Sequence, residues 1–318
     1  MKHTLLAIAA GILSGLLALA SLSGASIAVF YLSLVHPLPL FYVGLSLGVR
    51  ASTIATASAV LMVMVANPLS GLMFAALYAA PVWLMIRLSL IGPQGPIWHR
   101  AEDDHSQRGE TIQNNGWFSP GYVLAVVVAM AGAYILVGSL LAGGGLQDTI
   151  SKALTELSNA IAAPQGKDVL QQAVLALVPF FPGLAAGMWA VVLVLNALIA
   201  QGLLARAGRN LRPSPRLRDL VLPDALSWAW VGAALVALVA PGELGYLGRN
   251  LVFVLAVPFF FLGLSVVHKL AGLTRFPGAL LGMVYVVMLF SGWFVLVIAT
   301  LGILEQWVGL KKRMEPST

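Results

Sequence analysis

The stretch PGYVLAVVVAMAGAYILVGSLLA, residues 120–142, carries no charged side chain and is long enough to cross a membrane. A helix of about 20 apolar residues spans the ~30 Å hydrocarbon core of a bilayer. Lipid offers backbone N–H and C=O groups no partners, so each spanning segment must satisfy its own as a helix. Comparable stretches recur on both sides, at about 4–34, 37–66, 68–91, 169–205, 225–241, 249–268 and 277–304. The whole chain is 59% hydrophobic and 9% charged, where a soluble domain carries about 25% charged residues. The expectation is an all-α, polytopic transmembrane helix bundle. It has about eight to nine membrane segments, one broken helix and one amphipathic surface helix, and forms a single integral membrane domain over 1–318.

Cysteine is absent, which excludes disulfides, thiolate metal sites and thiol catalysis. The net charge of +6 comes from Lys and Arg clustered where segments end, as topology signals do. The expected partner is therefore the lipid bilayer and not nucleic acid. Met1-Lys2-His3 ahead of an apolar run resembles a secretory signal. Because the run continues through Ile27-Ala28-Val29-Phe30 to Leu34 with no polar sequence behind it, an uncleaved first membrane helix is expected.

Proline punctuates the chain. His36-Pro37-Leu38-Pro39 and Asn67-Pro68 predict turns, since proline fixes φ and biases its predecessor against helix, and each turn is expected to close a hairpin. Pro179-Phe180-Phe181-Pro182-Gly183 predicts a break inside 169–205, a stretch too long for one straight span. Residues 92–119 and 206–224 read as polar connectors. Within 146–163, Leu146, Ile150, Leu154, Leu157 and Ile161 recur at helical spacing, with Asp148, Lys152 and Glu156 on the other face as i,i+4 pairs. This is the amphipathic helix.

Arg206, Arg209, Arg212, Arg216 and Arg218 in one short connector are the strongest cytoplasmic signal. With a cytoplasmic turn at Arg50, Arg87, Lys269 and Arg275 also fall inside. The same count leaves Lys311-Lys312-Arg313 outside, against the rule. The first suspect is 277–304, with Ser291-Gly292 in its middle.

All twelve Asp and Glu residues lie in connectors or at segment ends. Ion-coupled transporters keep costly intramembrane carboxylates for use, so proton-coupled transport is disfavoured. No paired carboxylates, His-x-x-x-His or Ser/His dyad points to an enzyme, a cofactor or a metal. The candidates for a ligand site are Arg50, a guanidinium that costs at least ~2.5 kcal/mol at membrane depth, and Trp189, Asn196 and Gln201 along the span after the break. A helix-end topology charge is the preferred reading of Arg50, and interhelical hydrogen bonding that of the amides. His36 and His268 read as interfacial, and Trp228, Trp230, Trp293 and Trp307 as an aromatic belt. Ala7, Gly11 and Gly15 form a smooth stripe, with Ala10, Ser14 and Ala18 beside it, that suits packing on a helix of this chain or on another membrane protein. Gly44/Gly48, Gly183/Gly187 and Gly278/Gly282 repeat the spacing.

The His36-Pro37-Leu38-Pro39 turn feeding Gly44-Leu45-Ser46-Leu47-Gly48-Val49-Arg50, and the ending Leu301-Gly302-Ile303-Leu304-Glu305-Gln306-Trp307-Val308-Gly309-Leu310-Lys311-Lys312-Arg313, resemble the YybS-like family of predicted bacterial membrane proteins. That family is similar in hydropathy to the substrate-binding subunits of energy-coupling-factor vitamin importers. The resemblance implies a multi-pass protein of the bacterial inner membrane. It would bind a small molecule without an ATPase of its own and dock through its first helix. This chain has more segments than the six usual there. The alternative is a membrane scaffold or assembly factor for cell-envelope machinery.

Overall fold

A computed structural model describes residues 1–22, 27–90, 118–161 and 167–314. Among these residues there is no strand. Among the described residues, six helices are long and apolar enough to cross a membrane: Lys2–Ser21, Val49–Ala66, Pro68–Leu90, Pro120–Leu141, Phe181–Arg206 and Gly242–Gly272. Shorter apolar helices accompany them. The chain groups into two compact units, one of Met1–Val123 with Val192–Pro215 and one of Leu124–Val191 with Arg216–Thr318. A chain read as one membrane domain over 1–318 can hold two such units, since both are built of membrane-type helices. Most of the expected connector at 92–119 lies outside the described residues.

The first unit begins with α1 (Lys2–Leu22), α2 (Ile27–Val35), α3 (Leu38–Leu47) and α4 (Val49–Ala66). Helices α1 and α4 run in the same direction, because Gly11 faces Ala55 and Ser58 while Gly15 faces Ala59 and Met62. With Ala7 fully buried, the small-residue stripe is packed against a helix of this chain. A Cβ at Gly11 would run into the Ala55 carbonyl, and one at Gly15 would crowd the Met62 side chain and the Ala59 carbonyl. Helices α2 and α3 both lie along α1. Ser14, midway along α1, donates to His36 O (2.6 Å), whereas Gly44 lies against Ser52 near the start of α4. The His36–Pro37 bend therefore sits inside one passage, and the hairpin expected at His36–Pro39 is not formed. The reversal comes at Gly48, whose φ of 90° suits a residue without Cβ.

Asn67 then caps α5 (Pro68–Phe74), its side chain accepting from Ser70 N at 3.0 Å, with Pro68 in the first turn where no N–H is missed. A π-helical segment, Ala75–Ala79, carries α5 into α6 (Ala80–Leu90). Arg212 donates to Ser89 O (3.2 Å) and Leu211 approaches Gly48. The Arg50 turn, the end of α6 and the arginine-rich connector thus share one end of this unit.

The second unit holds most of α7 (Pro120–Leu141), then α8 (Leu146–Ile161) and α9 (Lys167–Leu177). Helix α8 is the amphipathic element. Asp148 and Lys152 pair at 2.6 Å on its exposed face, and Leu146 and Leu154 are buried. Hydrogen bonding to Asp148 raises the Lys152 pKa. The expected break occupies residues 178–180, after which α10 (Phe181–Arg206) is a full span that continues into the first unit. Helices α11 (Asp224–Val239) and α12 (Gly242–Gly272) form an antiparallel pair in which Gly248 lies on Val236 and Ala237. The 277–304 stretch is two helices, α13 (Pro277–Phe290) and α14 (Gly292–Val308), followed by α15 (Leu310–Arg313). Lys269 Nζ donates to Lys311 O (2.8 Å), so α14 ends where α12 ends. This overturns the count that placed Lys311–Arg313 on the side opposite Lys269. The stretch travels away and back, and the basic tail rejoins the Lys269 end of α12.

Candidate functional site

Prolines create the site. In a continuous helix the carbonyls of Ser33 and Val35 would accept from residues 37 and 39, and both are prolines with no N–H. The His36 ring repairs the first loss, with Nδ1 2.8 Å from Ser33 O. Asn196 on α10 reaches Leu34 O at 2.7 Å and its own Val192 O at 2.8 Å. With Ser14 on His36 O, three side chains dress the carbonyls of a broken membrane passage, where an unpaired group costs several kcal/mol.

The repair leaves groups over. A ring whose Nδ1–H donates to Ser33 O presents Nε2 as a bare acceptor. His36 Nε2 is buried and unpartnered, as is Asn196 Oδ1, and each residue is only 3% exposed. Tyr78 meets the imidazole edge-on with ring centroids 4.3 Å apart, and Phe74 lies at 5.8 Å. Tyr78 belongs to the π-helical segment, a local irregularity frequent at functional sites. Two acceptors without donors, beside an aromatic wall at a broken helix, suit a small polar molecule that brings N–H or O–H groups.

The residues singled out from sequence are placed differently from one another. Asn196 is part of this site. Gln201 donates to Arg212 O (2.8 Å) and Ser214 Oγ (3.1 Å), fastening α10 to the connector that follows it. Arg50 is exposed in the first turn of α4, beside the basic connector. Trp189 belongs to the second unit, where it meets Tyr134 edge-on at 5.4 Å. Sequence alone reads His36 as interfacial. The signal that could have placed it here is the pair of prolines following a histidine within 50 residues of nearly uncharged chain.

The other helix break is chemically closed. Tyr246 Oη donates to Val178 O (2.9 Å), Asn250 Nδ2 to Pro179 O (3.1 Å), and Gly183 N to Asn250 Oδ1 (2.7 Å). At the basic end of the second unit, Lys311 is 8% exposed. Its ammonium donates to Leu220 O (2.6 Å) and Ser265 Oγ (3.1 Å), with Glu305 at 3.9 Å. Burial lowers its pKa, against the opposing pull of Glu305. No cluster of three or more His, Cys, Asp or Glu side chains that could hold a metal occurs among the described residues.

Apolar spans, a bend inside one membrane passage and basic residues gathered at helix ends define a polytopic α-helical membrane protein. The chain belongs to the family described as predicted membrane protein (DUF2232), whose model matches residues 116–305, in coarse agreement with the resemblance drawn from its motifs. No curated protein and no solved structure matches the chain.

Proposed function

We propose that this protein is a transport-related membrane subunit of the bacterial inner membrane. In this reading it binds a small polar molecule at the His36 break and leaves energy supply and catalysis to partners. The observation that carries the reading is the pair of buried, donor-less acceptors, His36 Nε2 and Asn196 Oδ1, in a membrane passage. Ionisable groups at such depth are costly and are kept for use. Discontinuous helices near the midplane are where transport proteins hold their cargo. The likeness in hydropathy to energy-coupling-factor substrate-binding subunits points the same way, and the position of Asp and Glu in connectors and at segment ends argues against self-driven transport.

The test is native mass spectrometry of the protein in lipid nanodiscs after exposure to a polar metabolite extract. The wild type is expected to retain a small molecule bearing N–H or O–H donors, and His36→Phe and Asn196→Leu to lose it while keeping a cooperative thermal transition. A wild type that retains nothing, or variants that retain the same species, would refute the reading. The scaffold alternative is favoured by the closure of the Val178–Phe180 break and by the engagement of Gln201. It expects a stoichiometric protein complex, without an ATPase, that His36→Phe leaves intact.

A further inference from the structure

At the basic end of the second unit, the start of α11 and the end of α14 border an open depression of about 170 Å³. It is lined by Asp224, Ser227, Trp228, Gln306 and Trp307. The indole rings of Trp228 and Trp307 lie 6.0 Å apart and 52° from parallel, forming a wedge. The two residues are 68% and 60% exposed, so faces of both rings remain open. Gln306 Nε2 donates to Asp224 Oδ1 at 3.0 Å, which holds the carboxylate in the lining of the same depression. Ser227 Oγ lines the same space, buried and without a partner.

The charge pattern is the informative part. This end carries Arg218, Lys269, Lys311, Lys312 and Arg313. Two of its carboxylates lie near cations, Glu305 at 3.9 Å from Lys311 and Asp219 at 3.9 Å from Arg218. Asp224 has no cation partner among the described residues. An aromatic belt accounts for tryptophans at a membrane interface, but it does not require two converging rings or a positioned carboxylate without a cation partner lining the same depression. Ring faces attract cations through their quadrupole, and aromatic walls with an acidic group are how proteins recognise alkylammonium groups. The volume is below that of a site for a drug-sized molecule and suits a head group.

We infer that Trp228, Trp307 and Asp224 form a binding site for an alkylammonium group, with Ser227 as an additional hydrogen-bond acceptor for a primary ammonium. The inference does not rest on the His36 reading. Two sources carry this chemistry, an aminophospholipid head group and a free amine.

The test uses the full chain in nanodiscs. In an equimolar mixture of phosphatidylethanolamine and phosphatidylglycerol, native mass spectrometry should show the ethanolamine lipid enriched on the wild type. Asp224→Asn should reduce that enrichment about two- to fivefold, as for the loss of an exposed ion pair. In pure phosphatidylglycerol, titration with ethanolamine or tetramethylammonium should change tryptophan fluorescence at lower concentration in the wild type than in Asp224→Asn. Enrichment in the first arm identifies a lipid ligand, and a response in the second arm alone identifies a soluble amine. Asp224→Asn keeps the Gln306 contact, so it reports on charge even if a Trp307 variant fails to fold. No enrichment and no fluorescence response, or equal behaviour of wild type and Asp224→Asn, overturns the inference.

Discussion

Asn250 and Gly183 are joined across two helices by a 2.7 Å bond from the glycine N–H to the amide oxygen, and the same amide donates to Pro179 O and Tyr246 O. One fully buried side chain thereby closes both sides of a helix break, and Gly183 lets the backbone of Asn250 come against it. Asn250→Ala leaves the Gly183 N–H and the Pro179 carbonyl unpaired, at about 1–3 kcal/mol for each buried group. Tyr246→Phe removes a single bond, worth about 1 kcal/mol. Thermal unfolding in nanodiscs should rank Asn250→Ala well below Tyr246→Phe and both below wild type. The opposite order would mean that the amide does not hold the break.

Gly263 and Gly302 mark the crossing of α12 and α14. A Cβ on Gly263 would collide with the Ile298 carbonyl, and one on Gly302 with the Phe259 carbonyl. Gly282, in the pair suggested by spacing, has open space around it. Gly263→Ala and Gly302→Ala should each destabilise by roughly 1–3 kcal/mol through overpacking. Gly282→Ala should stabilise by about 0.5–1 kcal/mol through helix propensity. The same unfolding measurement decides. Equal effects at positions 263 and 282 would contradict the crossing.

What the sequence reveals and conceals here follows from what each signal measures. Apolar runs report lipid-facing and core surface together, so the helices and the amphipathic 146–161 element are legible. Proline reports that a helix is interrupted but not at what depth. The Val178–Phe180 break is found correctly, whereas the identical signal at His36–Pro39 suggests an interfacial turn. Its depth is set by Ser14 on another helix, which no local pattern encodes. Spacing of glycines within one helix marks Gly278/Gly282, but whether a second helix lies against a glycine is set by the fold, and Gly282 has none while Gly263 and Gly302 meet across a crossing. Ser291-Gly292 is too mild a breaker to show by itself that 277–304 turns back. Asn250 has a visible signal, a lone amide in an apolar run, without a visible partner.

The return of α14 to the basic end predicts topology. Because the chain has no cysteine, the single substitutions Ser214→Cys, in the arginine-rich connector, and Met314→Cys give clean labelling sites. In intact cells a membrane-impermeant maleimide should label neither, and permeabilisation should expose both. Gly144→Cys, between α7 and α8, is the outside control and should be labelled without permeabilisation. Labelling of position 314 in intact cells would restore the tail to the opposite side and remove the paired course of α13 and α14.

Lys311 supplies a pH test. Its folded pKa lies below the ordinary 10.5, through burial that outweighs the attraction of Glu305. Between that lowered value and 10.5 the folded protein binds fewer protons than the unfolded chain, so stability rises with pH across the window. The gain is complete above 10.5 and is lost as pH falls through the folded value, where the ammonium must be charged in its buried place. Lys311→Met removes the titrating group together with its bonds to Leu220 O and Ser265 Oγ. Unfolding followed by denaturant at a series of alkaline pH values should therefore show a shallower rise in the variant than in the wild type. Parallel curves for the two proteins would show that Lys311 keeps its ordinary protonation in the folded state and that its burial is relieved by solvent.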